Sequence, residues 1–196
     1  YSVSAHFEFR DTIPHEAECI KRSKEIKYSI YRKSFNPETM QFGPREMVFD
    51  AASLGKSATL PRISPDGKYL LFSMGEWGCF HIWHRDADLY MLRLADNKVW
   101  PLTKTNSPQA ESFHNFSSNG KWIIFSSRRN DGDYTRLFFA HVDADGNTTK
   151  AFELPQQDPD FHRMFMKSYN IPEFMRGPVT IKPQEFADVL RNDNIE

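Results

Sequence analysis

Ser64-Pro65-Asp66-Gly67-Lys68-Tyr69-Leu70-Leu71-Phe72-Ser73 is a phrase that this chain says twice. It returns as Ser117-Ser118-Asn119-Gly120-Lys121-Trp122-Ile123-Ile124-Phe125-Ser126, 53 residues later. Each copy sets Asp-Gly or Asn-Gly between an apolar stretch and a strongly β-prone run. That dipeptide predicts a tight type I′ hairpin with both central residues at positive φ.

Working outward, residues 58–64 lead into the first turn and Lys68–Ser73 return from it. A long loop, Met74–Asp86, precedes a third strand at Asp88–Leu94. The short turn Ala95-Asp96-Asn97 leads into a fourth, Lys98–Thr103, and the four strands are a, b, c and d in chain order. The second copy follows the same order: Ser112–Ser117, Lys121–Ser127, the loop Arg128–Thr135, Arg136–Val142, a turn at Asp145-Gly146, and Thr148–Leu154. Phe113 and Phe116 hold the places of Leu60 and Ile63, so apolar residues recur where stacked repeats need them. A hairpin-built repeat of this length is the signature of β-propeller blades.

The fold class predicted is therefore all-β, with blades of four antiparallel strands. Two blades are clear, and Tyr28–Ser34 with Glu46–Asp50 read as strands c and d of an incomplete third, joined by the loop Phe35–Pro44. The chain divides into an irregular part at 1–57 that holds the incomplete blade, blades at 58–105 and 106–155, and a C-terminal extension at 156–196. In the extension, Asp158-Pro159-Asp160 predicts a helix start and Phe161–Tyr169 a short helix, with a second at Pro183–Leu190.

Bulk properties narrow the functions. Net charge is −1, so no global field draws nucleic acid or an anionic membrane, and no run is apolar enough to span a bilayer. Aromatic residues make up 14% of the chain, which suits sheet-on-sheet packing. Cys19 and Cys79 have no CxxC partner and read as idle thiols, with a disulfide as the alternative.

Pro61-Arg62-Ile63-Ser64-Pro65-Asp66-Gly67-Lys68 with Leu70–Ser73, then Asp88-Leu89-Tyr90-Met91, then Pro101-Leu102-Thr103, resembles the TolB-type (WD40-like) propeller repeat. The second copy departs at Ser118-Asn119, and Ile63 and Phe116 stand where tryptophan is common in the family. Phe35-Asn36-Pro37, Ile82-Trp83-His84 and Tyr169-Asn170-Ile171-Pro172 also resemble TolB-like envelope proteins of Bacteroides-type bacteria. The resemblance implies a periplasmic or cell-surface propeller, commonly six-bladed, that binds a protein or glycan. The missing blades are then supplied by the rest of a longer chain or by a second copy. The same blades occur in prolyl-oligopeptidase-type serine peptidases, whose separate hydrolase domain needs a Gly-x-Ser-x-Gly elbow. No such elbow occurs in this sequence.

In a propeller the loops joining b to c and d to the next a share one end of the channel, and rigid scaffolds carry their binding residues on such loops. Here those loops gather Trp77, His81, Trp83, His84, Arg85, Asp86, Glu111, His114, Arg128, Arg129, Asp131, Asp133 and Tyr134 at one rim, and all of these but Glu111, Asp131 and Asp133 are the ligand-binding candidates. Each type has two readings. His81, His84 and His114 read as histidines hydrogen-bonded between blades, or as a metal set without motif spacing. Arg128-Arg129 reads as a solvated ion-paired couple, or as an oxyanion clamp. Trp77, Trp83 and Tyr134 read as inter-blade packing, or as stacking platforms for sugar rings. Asp86 and Asp88 show no testable carboxylate separation. Neither Asp96-Asn97 nor Asp143–Asn147 meets calcium-loop spacing. The function expected is a non-catalytic binding module without metal or cofactor; the alternatives are a carbohydrate-active enzyme with a rim site, or the propeller part of a larger enzyme.

Overall fold

The computed structural model of the chain describes residues 1–10 and 15–191. Its N-terminal sheet joins β1 (Ser2–His6), β2 (Lys27–Arg32) and, beyond a small hairpin of β3 (Phe35–Asn36) and β4 (Gln41–Phe42), β5 (Glu46–Phe49), in the order β1-β2-β5. A helix, α1 (His15–Lys21), lies between β1 and β2. The central sheet is an antiparallel meander of β6 (Ser57–Ile63), β7 (Tyr69–Gly75), β8 (Asp88–Arg93) and β9 (Lys98–Pro101). The C-terminal sheet repeats it with β10 (Glu111–Phe116), β11 (Trp122–Ser127), β12 (Arg136–His141) and β13 (Phe152–Glu153). The chain is thus mostly β, with two four-stranded antiparallel sheets of propeller-blade type and a three-stranded sheet before them. The strand β1 pairs with β2 throughout and was not legible among the mixed signals of residues 1–27.

The repeated turn differs from the predicted type. Only Gly67 and Gly120 have positive φ, at 73° and 69°. Gly67 N–H donates to Ser64 O, and Gly120 N–H to Ser117 O, both at 2.9 Å. In the first copy Pro65 explains the change: its ring holds φ near −65°, which suits the second position of a type I turn and excludes type I′; the second copy takes the same turn with Ser118 in that place. Asp66 and Asn119 then serve through their side chains. Asp66 Oδ1 accepts from Ser64 Oγ at 2.6 Å and Lys68 N at 3.2 Å, and Asn119 Oδ1 accepts from Ser117 Oγ at 2.8 Å and Lys121 N at 3.0 Å.

Every residue of β7 is buried, because its sheet has a neighbour on both faces. Side chains alternate across a strand. Leu70, Phe72 and Met74 join Ile30, Ala51, Ala58 and Leu92 against the N-terminal sheet. Tyr69 and Leu71 join Leu89, Met91, Phe116, Ile123, Phe125 and Phe138 against the C-terminal sheet. Each buried Leu, Ile, Met or Phe among these contributes about 1.5–3 kcal/mol. With both faces of the central sheet covered, Tyr69–Phe72 reads as an unbroken apolar run and not as an alternation.

The inner strands β6 and β10 both bulge, between Thr59 and Arg62 and between Ser112 and Asn115. Leu60 and Phe113, 53 residues apart, take the same left-handed backbone at φ 54° and 51°. Bulky residues there are strained outliers, of a kind that re-aims side chains beside functional sites.

The C-terminal extension holds α2 (Phe161–Met164) and α3 (Pro183–Arg191). The helix expected over Phe161–Tyr169 is one turn only, and its N-cap is Asp160, without a side-chain cap bond. The cause is Arg136, which is 1% exposed and draws the carbonyls of His162, Phe165 and Lys167 to its guanidinium. Strand d of the last blade, expected over Thr148–Leu154, is regular only at Phe152–Glu153, with one bridge at Val142–Thr148. Among the described residues no helix is long and apolar enough to cross a membrane.

Candidate functional site

The link between β7 and β8 (residues 76–87) carries a 3-10 turn at His81–Trp83, and the link between β11 and β12 (residues 128–135) rises beside it. Between them lies a groove of about 280 Å³. Its walls include Phe80, Ile82 and Trp83 from the first link, Phe113 from the bulge of β10, Arg128, Asp133 and Thr135 from the second, and Ser168–Asn170 from the extension.

Trp83 is 65% exposed, and the Arg128 guanidinium carbon stands 4.4 Å from the centre of its ring. Arg128 is aimed by its own loop: Nε and Nη2 donate to Asp133 O at 3.2 and 2.7 Å. The loop is shaped by Asp131, whose Oδ1 accepts from the N–H groups of Asp133 and Tyr134 at 2.8 Å each. Phe80 and Phe113 meet edge to face at 6.0 Å. The result is an exposed apolar surface with one cation beside it. Such a surface takes a flat ring or aliphatic side chain and offers a donor to a nearby carbonyl, hydroxyl or carboxylate.

The other candidates divide by environment. His81 is fully buried, with Nδ1 2.9 Å from Thr59 Oγ1. Burial, helped by the neighbouring His84, drives its pKa down to about 4. His114 is also buried; its Nε2 donates to Leu60 O at 2.8 Å and Leu71 O at 3.2 Å, and burial holds its pKa at about 4. These two rings tie inner strands together inside the wall, behind the groove. His84 packs at 4.4 Å against Trp77, and burial lowers its pKa. Asp86 accepts the Glu76 N–H at 2.6 Å, and Arg85 donates to Pro108 O at 3.2 Å. Arg129, next to Arg128, points inward to Glu111 Oε1 at 2.9 Å and Thr105 O at 2.8 Å. Burial raises the Glu111 carboxyl pKa and lowers that of Arg129. Tyr134 lies 5.2 Å from the Arg136 guanidinium.

Of the ten sequence-based candidates, the groove gathers Trp83 and Arg128. It also holds Asp133, one of the rim residues expected from the sequence, and adds Phe80, Ile82, Phe113, Thr135 and Ser168–Asn170, which sequence reasoning missed. Phe80 and Ile82 flank a candidate in the same loop and were accessible to it. Phe113 reaches the groove through a bulge, and Ser168–Asn170 through a chain reversal. Among the described residues no group of three or more His, Cys, Asp or Glu is placed to hold one metal ion. Cys19 and Cys79 are free thiols.

No protein-family model matches the sequence, and no curated protein matches it. Among solved structures the chain is similar to TolB from Acinetobacter baumannii, at 21% identity over 63% of this chain and 26% of that one, with a TM-score of 0.39. It is also similar to the β-propeller domain of the Trilobed protease from Pyrococcus furiosus, at 17% identity over 67% of this chain and 36% of that one, with a TM-score of 0.41. The chain spans about a quarter to a third of the length of these two structures.

Proposed function

We propose that this chain is a non-catalytic binding module that engages a protein or glycan through the groove between the 76–87 and 128–135 links. The single observation that carries this reading is the exposed Trp83 ring beside a guanidinium already aimed by its own loop. Aromatic and arginine side chains of this kind are the usual anchors of recognition surfaces. The buried histidines and the Glu111–Arg129 pair support it from behind, since each is tied to neighbouring groups and serves as scaffold. A cell-envelope location and membership of a larger propeller belong to the same proposal; both rest on the resemblance of the repeat phrase to TolB-type blades.

The test is titration of the wild-type chain with panels of oligosaccharides and of extended peptides, read by tryptophan emission. Trp83→Ala and Arg128→Ala are the controls. Binding by a panel member that falls at least tenfold in Trp83→Ala supports the reading. Equal binding by wild type and variant, or no response from either panel, sinks it.

A further inference from the structure

The central and C-terminal sheets meet through a specific pair of hydrogen bonds. Glu111 N–H donates to Ala87 O at 2.9 Å, and Glu111 O accepts from Ser73 Oγ at 3.0 Å. Strand register gives the equivalent atoms one blade on. Ser73 faces Leu89 as Ser126 faces Leu137, so Ser73 corresponds to Ser126 and Ala87 to Thr135. These equivalent groups are engaged in the same way on the far face of the C-terminal sheet. Ser126 Oγ donates to Asn170 O at 3.0 Å, and Tyr169 N–H donates to Thr135 O at 3.2 Å. Tyr169-Asn170 therefore sits where the first residue of a following inner strand sits.

The rest of the segment continues the docking. Thr135 N–H donates to Ser168 Oγ at 3.2 Å, and Thr135 Oγ1 donates to Tyr169 O. Asn115 Nδ2 donates to Glu173, and the Phe174 ring lies 6.0 Å from that of Phe139. The approach is fixed by Arg136, which donates to Lys167 O at 2.7 Å, Phe165 O at 2.7 Å and His162 O at 3.0 Å. Its hydrogen bonds among the described residues all go to backbone carbonyls, Thr135 O included. A buried guanidinium left without these carbonyls is strongly unfavourable, so the segment and the cation hold each other.

We propose that Ser168–Phe174 is a surrogate inner strand that fills a blade-docking slot on the β10–β12 face, with Arg136 as its positioning residue. The slot recognises extended backbone, and its occupant is the chain's own segment. One wall of the groove, Ser168–Asn170, is lent by this segment, so the groove is complete only while the slot is filled. That consequence rests on the binding reading above; the slot itself does not.

The test uses the intact chain, Arg136→Met, and a labelled peptide of sequence Lys-Ser-Tyr-Asn-Ile-Pro-Glu-Phe-Met, residues 167–175. Wild type should resist trypsin at Lys167 and bind the peptide at least tenfold more weakly than the variant. Arg136→Met should be cut at Lys167 at least tenfold faster while β11 amides stay protected. Unchanged cleavage, or equal peptide binding by both proteins, overturns the proposal. If Arg136→Met loses protection in β11 as well, Ser126→Ala decides: exchange of the Tyr169 amide should rise about tenfold with the sheet unaffected, and an unchanged rate overturns the proposal. None of these readouts involves a groove ligand, so failure of the binding reading would leave them as they are.

Discussion

The guanidinium of Arg128 lies 4.4 Å from the ring centre of Trp83, and each residue belongs to a different blade's link. The pair spans the junction of two sheets at the end where the b–c links gather. Because Trp83 is largely exposed, the contact is worth only about 0.5–1 kcal/mol. Its role is to hold a flat surface and a cation in fixed relation.

Arg128→Lys tests that role. Lysine keeps the charge but loses the planar fork that spans Asp133 O and the indole. Thermal unfolding should shift by less than about 1 kcal/mol, while Trp83 emission and near-ultraviolet dichroism change. A large loss of stability with an unaltered tryptophan signal would show that the pair is structural.

Gly146 turns the β12–β13 link against Tyr69 of the neighbouring blade. Its φ is 78°, and a Cβ there would stand 2.7 Å from Tyr69 Cε1. The Tyr69 hydroxyl donates to Ala144 O at 2.9 Å in the same contact. Gly146→Ala should destabilise by about 1–3 kcal/mol, from backbone strain and the clash together. Tyr69→Phe should cost about 1 kcal/mol, the net worth of one hydrogen bond. Denaturant midpoints measure both, and a Gly146→Ala variant as stable as wild type would contradict the packing.

His81 and His114 make stability pH-dependent. Burial holds both near pKa 4, against about 6.5 in the unfolded chain. The unfolded state therefore binds more protons between these values. The stabilisation is present above pH 6.5 and lost as pH falls toward 4, by about 3 kcal/mol for each ring. His114→Gln should flatten the profile over that window. A wild-type unfolding free energy that is constant from pH 7 to 4.5 would contradict neutral, buried rings.

The fold was legible because each repeat copy sets a β-prone apolar run after an Asp-Gly or Asn-Gly position that marks the hairpin, and the run is unbroken at Tyr69–Phe72 because β7 is buried on both faces. The turn type was misread because Asp66-Gly67 and Asn119-Gly120 occupy the last two positions of the turn and not its centre, a placement that Pro65 fixes in the first copy. The groove was legible only in part. Arg128 and Arg129 are adjacent yet point to opposite sides of a strand end, and alternation alone does not say which side is open. His114 lies within a bulge, which breaks the alternation that would have placed it in the wall. Ser168–Asn170 arrive through a reversal set by Arg136, which reads in the sequence as one more surface charge on a strand.

The central claim is that consecutive sheets of this chain share one apolar interface, face on face. Methyl and aromatic nuclear Overhauser contacts in a selectively labelled sample measure it directly. Leu71 and Met91 should show contacts to Ile123 and Phe125, while Leu70 and Phe72 show contacts to Ile30. Contacts confined within each sheet, with none from Leu71 to Ile123 or Phe125, would contradict it.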